Sequence, residues 1–164
     1  MVIAMAGDIG HDDAVALVDS HFGRGDGSAR TFAPAPEAPV ERLRLEPRDT
    51  AQAHVCLGVP GLPRDDADQW TLDLLNTVLG DGTSSRLFMK IREEEGLAYD
   101  VHSFQTDFAD CGILQVYMGV DAVDVAPAME CVLTEMARLR DDPVPPAELE
   151  RARNYTLGRL ELRL

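Results

Sequence analysis

Residues 24–39 place Gly25, Gly27, Pro34, Pro36 and Pro39 among small and polar neighbours, and no regular element runs through such a stretch. Glycine frees the backbone, while proline fixes φ and removes a donor, so the segment reads as an extended linker. It divides the chain into residues 1–23, the linker at 24–39, and residues 40–164.

On the short side, residues 2–6 form an apolar, partly β-branched run that predicts a buried strand. Residues 12–22 follow as a helix, with Ala14, Leu17, Val18 and Phe22 on one face. On the long side, residues 40–46 alternate, setting Leu43 and Leu45 against Arg42, Arg44 and Glu46, as a half-exposed strand would. Residues 51–59 alternate again through Ala53, Val55 and Leu57. A helix is expected over 66–79, where Trp70, Leu74 and Val78 recur at four-residue spacing.

The polar loop 80–84 leads to Ser85, placed to cap a short helix over 86–95 that Gly96 stops. Residues 99–108 and 113–120 read as strands about a turn at Asp110, Cys111 and Gly112. Residues 125–139 make an amphipathic helix, and Pro146 opens a last one. That helix meets no stop signal, so the C-terminal side is expected to be a cut. Paired strands on short turns with intervening helices predict an α+β fold: an antiparallel or mixed sheet with helices on one face.

Charge narrows the function. The formal net charge is −14, from 29 acidic against 15 basic residues, which opposes phosphate backbones and anionic lipid. Nucleic-acid and membrane-surface roles are therefore not expected. The apolar run at 2–6 is too short for a signal peptide or a membrane span, which leaves a cytoplasmic location as the expectation. Cys56, Cys111 and Cys131 are odd in number and far apart, which suits core packing better than a disulfide framework.

Self-contained chemistry is hard to assemble. His11, His21, His54 and His102 include no pair at helical spacing, and neither His-Glu-x-x-His nor His-x-x-Glu-His occurs. No complete zinc site is expected from this chain. The loop at 80–85 lacks the lysine of a phosphate-binding loop and follows a helix rather than a strand. Ser84 and Ser85 have no nucleophile elbow around them, and Arg92 with Glu93, Glu94 and Glu95 reads as a solvated helix face.

One stretch carries more. From Leu79 to Tyr99 the sequence runs Leu-Gly-Asp-Gly-Thr-Ser-Ser-Arg-Leu-Phe-Met-Lys-Ile-Arg-Glu-Glu-Glu-Gly-Leu-Ala-Tyr. It closely resembles the second-domain signature of the insulinase and pitrilysin type of zinc peptidases, which include the mitochondrial processing peptidases. Residues 2–13 also resemble the close of that family's first domain, and residues 52–58 the opening strand of its second.

The resemblance implies two homologous halves facing each other as a clamshell, one bearing zinc and the other handling substrate. Residues 1–23 would then be the closing strand and helix of the zinc-bearing domain. Residues 40–164 would be the second domain, truncated at its C-terminal side, where the family has a further helix and strand. Arg86 and Tyr99 are the implied substrate-holding pair, and the loop glycines Gly80 and Gly82 the implied substrate-handling turn.

No residue matches the zinc ligands or the catalytic glutamate. Zinc is implied for the parent protein only, and the chain alone is expected to be inactive. The implied partners are a peptide substrate and a zinc-bearing half from the same chain or another subunit, with a homo-oligomer also compatible. The other reading is a non-catalytic subunit serving assembly, like the core proteins of a respiratory complex. Because residues 2–6 share the apolar pattern of the family's last strand, they are expected to take that strand's place on the sheet edge.

Overall fold

A computed structural model of the protein describes residues 2–23 and 43–162. The chain divides into two compact units, residues 1–41 and 42–164. The proposed linker and the first part of the strand expected at 40–46 lie outside the described residues.

The first unit is helix α1, His11–Phe22. It starts at Gly10, whose carbonyl accepts from the Ala14 N–H, and stops at Gly23, where φ is +64° and the N–H donates to Asp19 O. None of its residues is buried, and Phe22 is 60% exposed. Residues 2–6 form no strand, contrary to the sequence expectation, so they fill no sheet position. An apolar β-branched run becomes a strand only when a neighbour satisfies its N–H and C=O groups.

The second unit contains strands β1 (Ala53–Gly61), β2 (Ala98–Asp107) and β3 (Gly112–Val120), in the spatial order β1-β3-β2, all antiparallel. The alternation legible in the sequence has become the two faces of this sheet. Val55, Val59, Val101, Leu114, Val116 and Met118 point toward the helices, and His54, His102 and Tyr117 lie on the other face. The fold is thus α+β with a three-stranded antiparallel sheet, as the element order implied.

Helices α2 (Gln69–Leu79), α3 (Val125–Asp141) and α4 (Pro146–Glu161) accompany a π-helical segment, Phe88–Glu94. Leu79, Leu87, Ile91, Ala128 and Val132 join the inward residues of the sheet in one core cluster. Helix α2 begins later than its acidic start suggested, because Asp66 first forms a turn, accepting the Asp68 N–H on its side chain and the Gln69 N–H on its backbone. Residues 43–46 are not a strand either: Leu43 and Leu45 are 72% and 76% exposed. Alternation there marks ion pairs of Arg44 and Arg48 with Glu46, not a ladder.

Burial sets the energetics. Leu87 is fully buried, so Leu87→Ala should lower unfolding free energy by about 2–5 kcal/mol. Leu133, 52% exposed on α3, should tolerate alanine within about 0.5 kcal/mol. Urea titrations of both variants check the contrast.

Candidate functional site

The turn after α2 is held by close backbone approach. A Cβ on Gly80 would lie 2.6 Å from both the N and the Oγ of Ser103 on β2, so only glycine lets the Ser103 N–H reach the Gly80 carbonyl at 3.2 Å. Gly82 has φ +121° and packs beside the Tyr155 ring of α4. Asp81 between them is ion-paired with Arg159 of α4. Ser103 Oγ also donates to the Asn76 side chain at 2.7 Å, and both residues are buried. The loop is a rigid junction of α2, β2 and α4.

Ser85 does not cap the helix that follows. Its Oγ donates to the Gly82 carbonyl at 2.7 Å, which closes the turn, and the side chain is buried. Arg86 then points into the helical layer. Its Nε and Nη2 donate to the two carboxylate oxygens of Glu148, each at 2.8 Å, and its Nη1 lies 3.9 Å from Glu135 Oε2. Glu135 in turn accepts from Arg138 at 2.7 Å. The fork geometry matches two donors to two acceptors and holds the segment against α3 and α4. Arg86 holds the Glu148 carboxyl below the usual carboxylate range, through the hydrogen bonds first.

Tyr99 stands elsewhere. In the β2–β3 ladder Ala98 faces Val120 and Asp100 faces Gly119, so Tyr99 is the extra residue of a β-bulge. It is 77% exposed. Bulges re-aim a side chain away from the pleat and are common beside functional sites. The nearby cation is not Arg86 but Arg92, whose guanidinium carbon lies 5.4 Å from the Tyr99 ring centroid and 4.8 Å from that of Phe88. Arg92 sits on the π-helical segment, a widened turn that also recurs at functional sites. Gly96, at φ +64°, makes the turn from that segment toward β2.

Of the four residues the resemblance singled out, Gly80 and Gly82 therefore share the loop with Arg86 just beyond it, and Tyr99 pairs with Arg92 instead. Arg92, Glu93, Glu94 and Glu95 are all exposed, as expected of a solvated helix face, and Arg92 also lies over the Phe88 and Tyr99 rings. The seven-residue step from Arg92 to Tyr99, across a glycine, was the available signal.

A second polar group lies on the uncovered sheet face. Tyr117 OH and His54 Nδ1 share a hydrogen bond at 2.8 Å, the His102 ring sits 5.1 Å from the Tyr117 ring, and His102 Nδ1 lies 3.2 Å from Asp100 Oδ1. The two histidines are strand residues with protein partners, as the sequence led one to expect. Among the described residues no three histidine, cysteine, aspartate or glutamate side chains converge as a metal site.

Residues 1–156 match the family described as the peptidase M16 inactive domain. The chain belongs to that family. It is 40% identical to an uncharacterized zinc protease of Mycobacterium leprae, over all of this chain and 38% of that protein. It is 38% identical to one of Streptomyces coelicolor, over 93% of this chain and 35% of that protein. Among solved structures, a peptidase M16 inactive domain from Pseudomonas fluorescens matches 68% of this chain and 27% of its own at 28% identity, with a TM-score of 0.63. A conserved protein from Enterococcus faecalis shares the fold over 95% of this chain and 37% of its own, at 24% identity and a TM-score of 0.77. The chain spans well under half the length of these relatives.

Two outcomes test the electrostatics. Arg86→Ala leaves Glu148 without its partner, and the pair is 16% and 17% exposed, so about 3 kcal/mol of stability should be lost in urea titration. Because the folded-state pKa of Glu148 is depressed, its contribution is complete above the ordinary carboxylate value and disappears as pH falls through the folded value. Glu148→Gln should therefore flatten the acid side of the stability profile measured by circular dichroism.

Proposed function

We propose that this chain is the substrate-handling part of a zinc metalloendopeptidase whose metal-bearing half lies outside these residues. The observation that carries the reading is the Arg92–Tyr99 pair. A cation and a phenol are presented together on a π-helical turn and a β-bulge, both partly or largely exposed. The zinc-protease naming of the relatives supports the metal half, and their greater length leaves room for it. Residues 1–23 are assigned to the end of the zinc-bearing domain and residues 40–164 to the second.

Chemistry suits the pair to a peptide. An arginine donates several hydrogen bonds in a fixed plane, and a tyrosine hydroxyl donates one. Aimed at a peptide carbonyl, they orient the scissile bond and oppose the charge that develops on its oxygen. The residues of this chain bind and orient; the hydrolytic step belongs to zinc and its general base in the other half. Gly80, Gly82 and Arg86 act one step back, holding the turn and the π-helical segment so that Arg92 and Tyr99 keep their positions.

Partners on this reading are a peptide substrate and the zinc-bearing half. No helix among the described residues is long and apolar enough to cross a membrane.

The zinc-bearing parent protein provides the test. Tyr99→Phe and Arg92→Ala should each lower kcat/KM for peptide cleavage by about 10–100-fold while leaving zinc content and melting temperature unchanged. Arg86→Ala should instead lower the melting temperature. A parent protein without zinc or cleavage would favour the assembly role, and full activity in both the Arg92 and Tyr99 variants would refute the assignment of the pair.

A further inference from the structure

Arg64, Arg86 and Arg159 are each fixed by a carboxylate, on Asp107, Glu148 and Asp81. Arg92 is held differently. The carboxylate oxygen nearest it among the described residues is Glu93 Oε1, 3.8 Å from Nε and beyond hydrogen-bond reach. Its guanidinium carbon lies instead 4.8 Å from the Phe88 ring centroid and 5.4 Å from that of Tyr99. We infer that Phe88 is a positioning residue for the proposed cleavage, one whose ring holds the Arg92 cation while leaving its N–H groups free for the peptide carbonyl. The inference rests on the reading of Arg92 and Tyr99 as the substrate-holding pair, and adds the residue that sets the direction of the cation.

The two ways of holding an arginine differ in what they leave over. A guanidinium is planar, and its five N–H donors point outward from its edge. A carboxylate takes that edge, two donors at a time, and neutralises the charge. An aromatic ring attracts the same charge through its π face and supplies no carboxylate to occupy the donors. A flexible arginine stem loses freedom when it binds, so a ring already in place carries part of that ordering before substrate arrives.

Phe88 is the anchored one of the two rings. It stands four residues before Arg92 on the same π-helical segment, close enough in helical spacing to share a face. Phe88 is half-buried, and Leu87 and Ile91 of the same stretch are fully buried. Tyr99 comes from a separate strand and is 77% exposed. The carboxylates next in sequence have other partners. Glu94 and Glu95 accept from Lys90 at 3.0 and 2.8 Å, and Asp100 lies 3.2 Å from His102 Nδ1. Lys90 thus draws away two groups that would otherwise compete for Arg92.

The zinc-bearing parent protein is again the material for the test. Phe88→Leu fills the space without a ring, and should lower kcat for peptide cleavage by about five- to tenfold with KM held within about twofold. Phe88→Tyr keeps the ring and should stay within about twofold of the unsubstituted protein. In the Arg92→Ala background, Phe88→Leu should have no further effect, because a residue that acts through Arg92 is silent once Arg92 is gone. Melting temperatures verify that each variant is folded during the assay.

The contact itself is read without catalysis. The Arg92 Nε–Hε signal in nuclear magnetic resonance, assigned by its loss in Arg92→Ala, should show a ring-current shift and a high order parameter. Both should persist in Phe88→Tyr and diminish in Phe88→Leu. An unchanged Arg92 signal in Phe88→Leu, full activity of that variant, or an effect of it that survives undiminished without Arg92 overturns the inference and leaves the pair its role. Full activity of Arg92→Ala overturns the reading of the pair, and the inference falls with it whatever the Arg92 signal shows.

Discussion

The Arg86 guanidinium is the meeting point of three stretches that are distant in sequence: the glycine turn, α3 and α4. Glu148 takes both of its paired donors, and Glu135 lies close behind with Arg138. A buried ion pair is not by itself a source of large net stability, because desolvation offsets most of the attraction. Its effect is on geometry. The fork on Glu148 ties the start of the segment to α4, and Leu87 and Ile91 just beyond it lie in the core. The outward direction of Arg92 follows from that placement.

Two irregularities then act on one site from opposite sides. The π-helical turn carries Arg92 and the bulge carries Tyr99, and Gly96 reverses the chain between them. Neither a regular α-helix nor a regular strand would place these side chains at the same spacing. The rigid core beneath converts two local departures from regularity into a defined distance between a cation and a phenol. Positioned groups of this kind lower the reorganisation that binding requires.

Much of the framework was legible in the sequence because period carries it. Val55 and Val59 on β1, and Val116 and Met118 on β3, fall on one face by simple alternation. Trp70, Leu74 and Val78 mark α2 by helical spacing, although Trp70 is 65% exposed and stands outside the core. Where alternation lacked a partner strand, as at Leu43 and Leu45, it misled. Residues 2–6 failed for the same reason, since local pattern does not contain the neighbour that a strand needs. The site was harder. The pairing of Arg86 with Glu148 joins residues 62 apart, and no local rule selects it over solvent exposure. The π turn leaves Leu87, Phe88 and Ile91 compatible with an ordinary helix, so Arg92 appeared to be one charge among several.

The bulge at Tyr99 separates what the strand must do to pair from what it shows to solvent. Ala98 and Val101 point inward and Asp100 outward, which is already a complete alternation without Tyr99. The strand holds one residue more than its pairing requires. The pairing of the sheet therefore constrains the side chain at this position less than it does at Ala98 or Val101. A different side chain there would change what the surface presents and leave the register of the ladder intact.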